Sequence, residues 1–220
     1  MDLTPEEIRV LGCLIEKSQT TPDHYPLSTN ALVAACNQKS SRDPIVSFTE
    51  REVDQVSTDL REEGLVRVVR GAGMRTHKHK HILDEALNLS SHELAVLAVL
   101  MLRGPQSHGE LRTRTERYVQ FADNNAVLEI LSALEARPER FVANIGREAG
   151  QAQDRWRHTM STAIASESQA STSSAVSSEA VVQQRPASAS SVGGGANLAD
   201  RVAELERRLA ALELSLGVDD

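Results

Sequence analysis

The chain repeats itself, and this constrains its fold more than any single motif does. Laying Leu3 onto Leu89 aligns Leu3-Thr4-Pro5-Glu6-Glu7-Ile8-Arg9-Val10-Leu11 with Leu89-Ser90-Ser91-His92-Glu93-Leu94-Ala95-Val96-Leu97, and Leu14 then falls on Leu100. Each copy opens with a hydroxyl residue three places before a Glu, Thr4 to Glu7 and Ser90 to Glu93. At that spacing side chain and backbone cap each other at a helix start. Apolar residues follow at helical period: Ile8, Leu11 and Ile15 in the first copy, Leu94, Leu97 and Met101 in the second.

A shorter amphipathic segment comes next in both, Ser28 to Asn37 and Ser107 to about Tyr118. A third helix is predicted over Thr49 to Glu63, with Val53, Val56 and Leu60 on one side, and over Asp123 to Ala136, with Val127, Ile130, Leu131 and Leu134. Gly64 suits a left-handed cap on the first, and Pro138 stops the second. The apolar period then drops from about 3.6 to 2, the change expected where a helix gives way to strands. Leu65 to Arg70 reads as a strand, Gly71 to Gly73 as a turn and Met74 to His81 as the returning strand. Phe141 to Ile145, a turn around Glu148 to Gly150, and Arg155 to His158 repeat the pattern. Three helices followed by a β-hairpin, found twice, predict a mainly α fold with small β-hairpins (α+β): two tandem winged-helix domains over residues 1–84 and 85–160.

Aromatic residues make up only 3% of the chain, so two small cores are expected rather than one built around large side chains. No stretch approaches the roughly 18 to 20 apolar residues that span a bilayer. Met1 opens directly on an acidic helix start, without a basic-then-apolar leader, which predicts a cytoplasmic protein with no membrane partner. Cys13 and Cys36 lie inside apolar helical patterns without CxxC spacing and read as small buried hydrophobes.

Beyond the repeat, residues 161–196 are rich in Ser, Ala and Gly and hold no aromatic residue, a composition that predicts a disordered linker. Leu198, Val202, Leu205, Leu209, Leu212 and Leu216 follow at the alternating spacing of a coiled-coil seam, so a helix over residues 197–217 is expected to pair two chains into a homodimer. In a parallel pair Arg201 would face Glu206 and Arg208 would face Glu213. An amphipathic helix docking elsewhere is the alternative for so short a segment.

Several motifs are long and specific: Gly12-Cys13-Leu14-Ile15-Glu16-Lys17, then Thr20-Thr21-Pro22-Asp23-His24-Tyr25-Pro26-Leu27-Ser28, then Ala35-Cys36-Asn37-Gln38-Lys39. With Arg42-Asp43-Pro44, Leu102-Arg103-Gly104 and Gly109-Glu110-Leu111-Arg112, they resemble the bacterial YceH-like family. The resemblance covers about Leu3 to Met160. It implies a tandem winged-helix fold and a bacterial cytoplasmic setting, and it implies no activity.

Winged helices commonly set the third helix in the major groove of double-stranded DNA and the hairpin against its backbone. On that analogy DNA is the leading expected partner. Arg51, Gln55 and Thr58 are the candidates to read bases, and Arg67, Arg70, Arg75, Lys78 and Lys80 of the first hairpin the candidates to hold phosphates. In the second copy the bases move to the second helix, at Arg112, Arg114 and Arg117. Against it stand a net charge of −7 and the acidity of the third helix, where Glu50, Glu52, Asp54, Asp59, Glu62 and Glu63 outnumber Arg51 and Arg61. An acidic helix meets repulsion rather than counterion release at a phosphate backbone. A winged-helix scaffold for protein–protein interaction is therefore the alternative.

No Gly-rich phosphate loop, HExxH, GxSxG or motif-bound carboxylate pair occurs, so no enzyme and no cofactor are expected. His77, His79 and His81 would share one face of a strand, an arrangement that invites a metal. No carboxylate or Cys nearby in sequence completes a set, so a solvated, partly cationic hairpin without metal is the expectation. In the loops, Pro22, Pro26 and Pro44 read as turn-setters, Ser28 as a helix cap and Tyr25 as packing between helices, with a recognition surface at Asn37, Lys39 and Arg42 as the alternative.

Overall fold

Helix starts in this chain are written in hydroxyl–Glu pairs, and four of them close as reciprocal capping boxes: Thr4 with Glu7, Thr49 with Glu52, Ser90 with Glu93 and Ser107 with Glu110. They open helices α1 (Pro5–Thr20), α3 (Glu50–Glu62), α5 (Ser91–Arg103) and α6 (His108–Thr115). Ser28 caps α2 (Thr29–Cys36) and Asp123 caps α7 (Asn124–Glu135), each accepting a single backbone N–H. A computed structural model describes residues 1–70, 77–147 and 150–161. The expected linker beyond Ser161, the leucine seam from Leu198 to Leu216 and Arg75 lie outside the described residues.

The described residues form a mixed α+β structure with seven α-helices and two small antiparallel sheets. In the first copy β2 (Val66–Val69) and β3 (Lys78–His81) form the expected hairpin, with Val66 opposite His81. In the second, β5 (Val142–Gly146) and β6 (Arg155–His158) do the same, with Val142 opposite His158 and a bulge between Asn144 and Gly146. Each sheet has a third strand that no sequence pattern announces: β1 (Leu27–Ser28) joins β3, and β4 (Gln106–Ser107) joins β6. Two residues, the second of them the helix cap, are too short to show an alternating period. A short helix, α4 (Leu83–Leu87), links the copies and ends on Asn88 in the left-handed conformation.

The expectation of two small cores is overturned. Buried residues of both copies belong to one continuous apolar cluster, because α1 from Glu7 to Glu16 and α5 from Glu93 to Leu102 are buried on every side. Helices of that kind must be covered on every side. They cover each other, and their crossing is the main contact between the copies. Gly12 makes this close approach possible: a Cβ there would stand 3.0 Å from Leu102 Cγ and Cδ2 and 3.1 Å from Met101 Cβ. The rims are sewn by backbone bonds, Leu3 N–H to the Met160 carbonyl and Asp43 N–H to the Leu102 carbonyl, each 2.8 Å. Among the described residues no helix is long and apolar enough to cross a membrane.

Candidate recognition surfaces

Helix α3 follows from a strongly amphipathic sequence: Val53, Ser57 and Leu60 go into the core, leaving Glu50, Arg51, Glu52, Asp54 and Gln55 exposed. Two of the three candidate base readers are held by the helix itself. Gln55 Nε2 donates to Asp59 Oδ1 at 2.9 Å, and Thr58 Oγ1 donates back to the Asp54 carbonyl at 2.9 Å. Arg51 and Gln55 instead line a groove of about 360 Å³ with Phe48, Val56, Glu6 and Glu52. The Asn37 amide fixes Phe48 there, donating to its carbonyl at 2.8 Å and accepting its N–H at 2.7 Å. Bonds from the Thr49 backbone and hydroxyl hold the Glu52 carboxyl below its ordinary pKa, keeping the groove rim anionic. Ile45, 63% exposed, lies on the loop that leads to Phe48.

The first hairpin is less basic in space than in sequence. Glu85 of α4 reaches Arg67 at 3.4 Å and Lys80 at 3.6 Å, while Arg70 is exposed and Lys78 partly so. Surface pairs of this kind contribute only about 0–1 kcal/mol, so they dilute the local potential rather than lock the side chains.

The expectation of a solvated histidine face is wrong for two of its three members. His79 is 2% and His81 5% exposed, and only His77 is open to solvent. The alternation along β3 is as predicted, but its apolar-facing side is the imidazole side. His79 Nε2 lies 3.1 Å from Thr29 Oγ1, and His81 Nε2 lies 3.0 Å from Ser18 Oγ. The Tyr25 hydroxyl accepts the His81 backbone N–H at 2.7 Å, so Tyr25 packs against the sheet. Burial pushes both imidazoles below their ordinary pKa. Among the described residues no three His, Cys, Asp or Glu side chains gather where they could hold a metal. The repeat itself carried the missing signal, since the strand registers place His79 on Trp156 and His81 on His158, both buried.

In the second copy Arg112 donates to the Ala122 carbonyl at 3.3 Å, Arg114 pairs with Glu110 at 3.2 Å and Arg117 approaches Glu16 at 3.7 Å. That last contact crosses between the copies, and Glu16 is the centre of the junction. Its buried carboxylate accepts both terminal nitrogens of Arg42, which is wholly buried, and the Tyr118 hydroxyl at 3.2 Å. Burial alone would raise the Glu16 pKa, but the Arg42 bond and charge outweigh it and hold the group below the ordinary carboxylate range. Burial next to Glu16 pushes Tyr118 upward, keeping its hydroxyl protonated as the donor.

Arg42 also donates to the carbonyls of Ala35 and Ser41 at 3.1 and 2.9 Å, and Arg9 donates to those of Cys36 and Pro44 at 3.2 and 2.5 Å. Of the three residues considered for a loop recognition surface, Asn37 and Arg42 are thus framework. Lys39 alone stays exposed, beside a polar cleft of about 450 Å³ at the junction.

Residues 3–151 match the family described as "Protein of unknown function, DUF480". The chain is 49% identical over 153 residues to a UPF0502 protein of Shewanella frigidimarina, covering 68% of this chain and 70% of that one. A UPF0502 protein of Geobacter metallireducens is 46% identical over 165 residues, 75% of each chain. One from Serratia proteamaculans is 44% identical over 162 residues, covering 71% of this chain and 76% of that one.

Proposed function

The chain belongs to the DUF480 family of bacterial proteins, and from that footing we propose that it is a non-enzymatic cytoplasmic recognition module: two tandem winged helices whose first copy holds a basic, partly apolar segment of a partner protein. Three helices and a hairpin in each copy support the winged-helix reading, which is also what the YceH-like resemblance implies. The observation that carries the choice of partner is the groove on α3. Its floor is Phe48 and Val56, its rim includes Glu6 and Glu52, and the helix beside it has five acids against two bases over Glu50–Glu62. Such a surface attracts a cationic amphipathic segment and repels phosphate. Pairing through residues 197–217 would present two such grooves in one dimer.

Duplex DNA is the second reading, favoured by Arg70 and Lys78, which are not among the bases that Glu85 engages. One experiment separates the two. Full-length protein is used to capture partners from nuclease-treated native extract, in wild-type form and as Val56→Asp, and the same preparations are titrated with duplex at several salt concentrations. A stoichiometric protein retained by the wild type and lost by a folded Val56→Asp supports the protein reading. Retention by the variant overturns it, as does saturable duplex binding with a steep salt slope and no protein captured.

A further inference from the structure

The junction between the copies gathers positive charge that neither copy has alone. Lys17 from α1, Lys39 from the loop after α2 and Arg117 from just beyond α6 line it, while Arg103 at the end of α5, bonded to the Ser41 hydroxyl, and Arg114 of α6 stand close by. The carboxylates within ion-pair distance of this group are Glu16 and Glu110. Glu16 is already matched by the buried Arg42 beneath it, so the cations above it are in excess. Arg103 shows the strain of this crowding: burial, then the charges of Arg114 and Arg117, hold its pKa below the ordinary value.

The loop between Gln38 and Ser41 is set for close contact. Ser41 is held at φ 61°, a conformation a serine rarely takes, by Arg42 bonding its carbonyl and Arg103 bonding its hydroxyl. Departures of this sort concentrate at ligand sites, where the surroundings over-determine them. The loop lines the cleft of about 450 Å³ together with Thr20, Lys17 and Arg117, a volume on the scale of small-molecule sites. Hydroxyls, an amide, two ammonium groups and the Arg117 guanidinium line it, with the Glu16 carboxylate, already matched by Arg42, the one anion among them, so its occupant is polar and anionic.

We propose that this junction cleft is a binding site for a phosphate-bearing small molecule, with Lys39 and Arg117 as the phosphate-holding side chains, Lys17 adding charge beside them, Ser40 and Ser41 as neutral donors, and Arg103 holding Ser41 in place. Arginine forks suit phosphate because they present two parallel N–H donors, and a lysine adds a mobile point charge. Because the cleft takes residues from both copies, its occupant ties them together. The site is independent of the groove on α3 and does not rest on it.

The same chemistry could be met by the phosphodiester of a nucleic acid, and the test separates the two sources. Full-length protein at low ionic strength is titrated calorimetrically with inorganic phosphate, pyrophosphate and a short duplex, as wild type and as Arg117→Gln and Lys39→Gln. Both substitutions fall on exposed side chains, Arg117 being 63% exposed, and unchanged thermal midpoints without ligand confirm the fold. Saturable pyrophosphate binding, weakened roughly tenfold by each substitution, the scale of one charge-assisted hydrogen bond, supports the proposal. No saturation by millimolar pyrophosphate overturns it, as does binding that the substitutions leave unchanged. Duplex binding that the substitutions weaken, with pyrophosphate inert, overturns the small-molecule assignment and gives the cleft to a nucleic-acid backbone. Val56→Asp leaves pyrophosphate binding intact, so failure here and failure of the groove are told apart.

Discussion

Arg42 and Glu16 are 26 residues apart in the chain and meet in the interior, the guanidinium fully buried and the carboxylate accepting both of its terminal nitrogens. Removing one partner leaves the other charge without its main counter-ion at a place almost closed to water, the two side chains being 0% and 3% exposed. Arg42→Ala should therefore cost about 3–5 kcal/mol, and Glu16→Leu a similar amount, whereas the paired change Arg42→Met with Glu16→Leu should cost far less than their sum. Urea denaturation of the four proteins gives the coupling. Additive losses would mean that the two side chains do not depend on each other.

Gly12 sits where α1 and α5 cross, within 3.1 Å of Met101 and Leu102 for any added Cβ. Gly12→Val should lower stability by about 1–3 kcal/mol or more through overpacking. Gly12→Ala should be much milder, because the helix-propensity gain of about 1 kcal/mol offsets the crowding. The measurement is the urea midpoint of each, and equal midpoints for Val and wild type would show that the crossing is looser than described.

His158 lies buried at the end of β6, and burial lowers its pKa from 6.5 to about 4. The unfolded chain therefore takes up this proton first. The imidazole's contribution is fully present above about pH 6.5 and is lost as pH falls towards 4, by an amount on the order of 3 kcal/mol. His79 and His81 shift in the same direction for the same reason. Replacing His158 with Leu should flatten the fall in stability between pH 7 and pH 4.5, read by chemical denaturation at each pH. A variant whose pH dependence matches the wild type would refute the assignment.

Asn37 does not line the groove on α3, yet its amide holds the Phe48 backbone from both sides. Asn37→Ala leaves a half-buried N–H and carbonyl without their partner, at about 1–3 kcal/mol. It should also weaken protein capture by the groove, with retention in an extract pull-down as the readout. Undiminished capture by a destabilised Asn37→Ala would separate the amide from the groove.

Much of this was readable in the chain. The hydroxyl–Glu pairs at Thr4, Thr49 and Ser90 mark helix starts to the residue, and Gly64 ends α3 with φ 75° as its position suggested. Local chemistry decides those features, and local chemistry is what a sequence displays. The burial of Arg42 and the depth of His79 and His81 are decided by residues far away in the chain. Periodicity correctly separated the two faces of β3 but could not say which one meets the core. The charge excess at the junction was hidden likewise, since Lys17, Lys39, Arg103 and Arg117 become neighbours only after the copies pack.

Duplication ordinarily yields modules that can be cut apart and reused, and the α1–α5 crossing removes that freedom. Each first helix is apolar on the side that its own copy leaves uncovered, so each half of the repeat serves as the other's missing core. The two halves share one buried cluster, so a fragment ending before Ser90 would expose an oily seam where α5 now packs. Having two copies of the repeat is therefore not, in this protein, a count of independent modules; it is the minimum that buries α1.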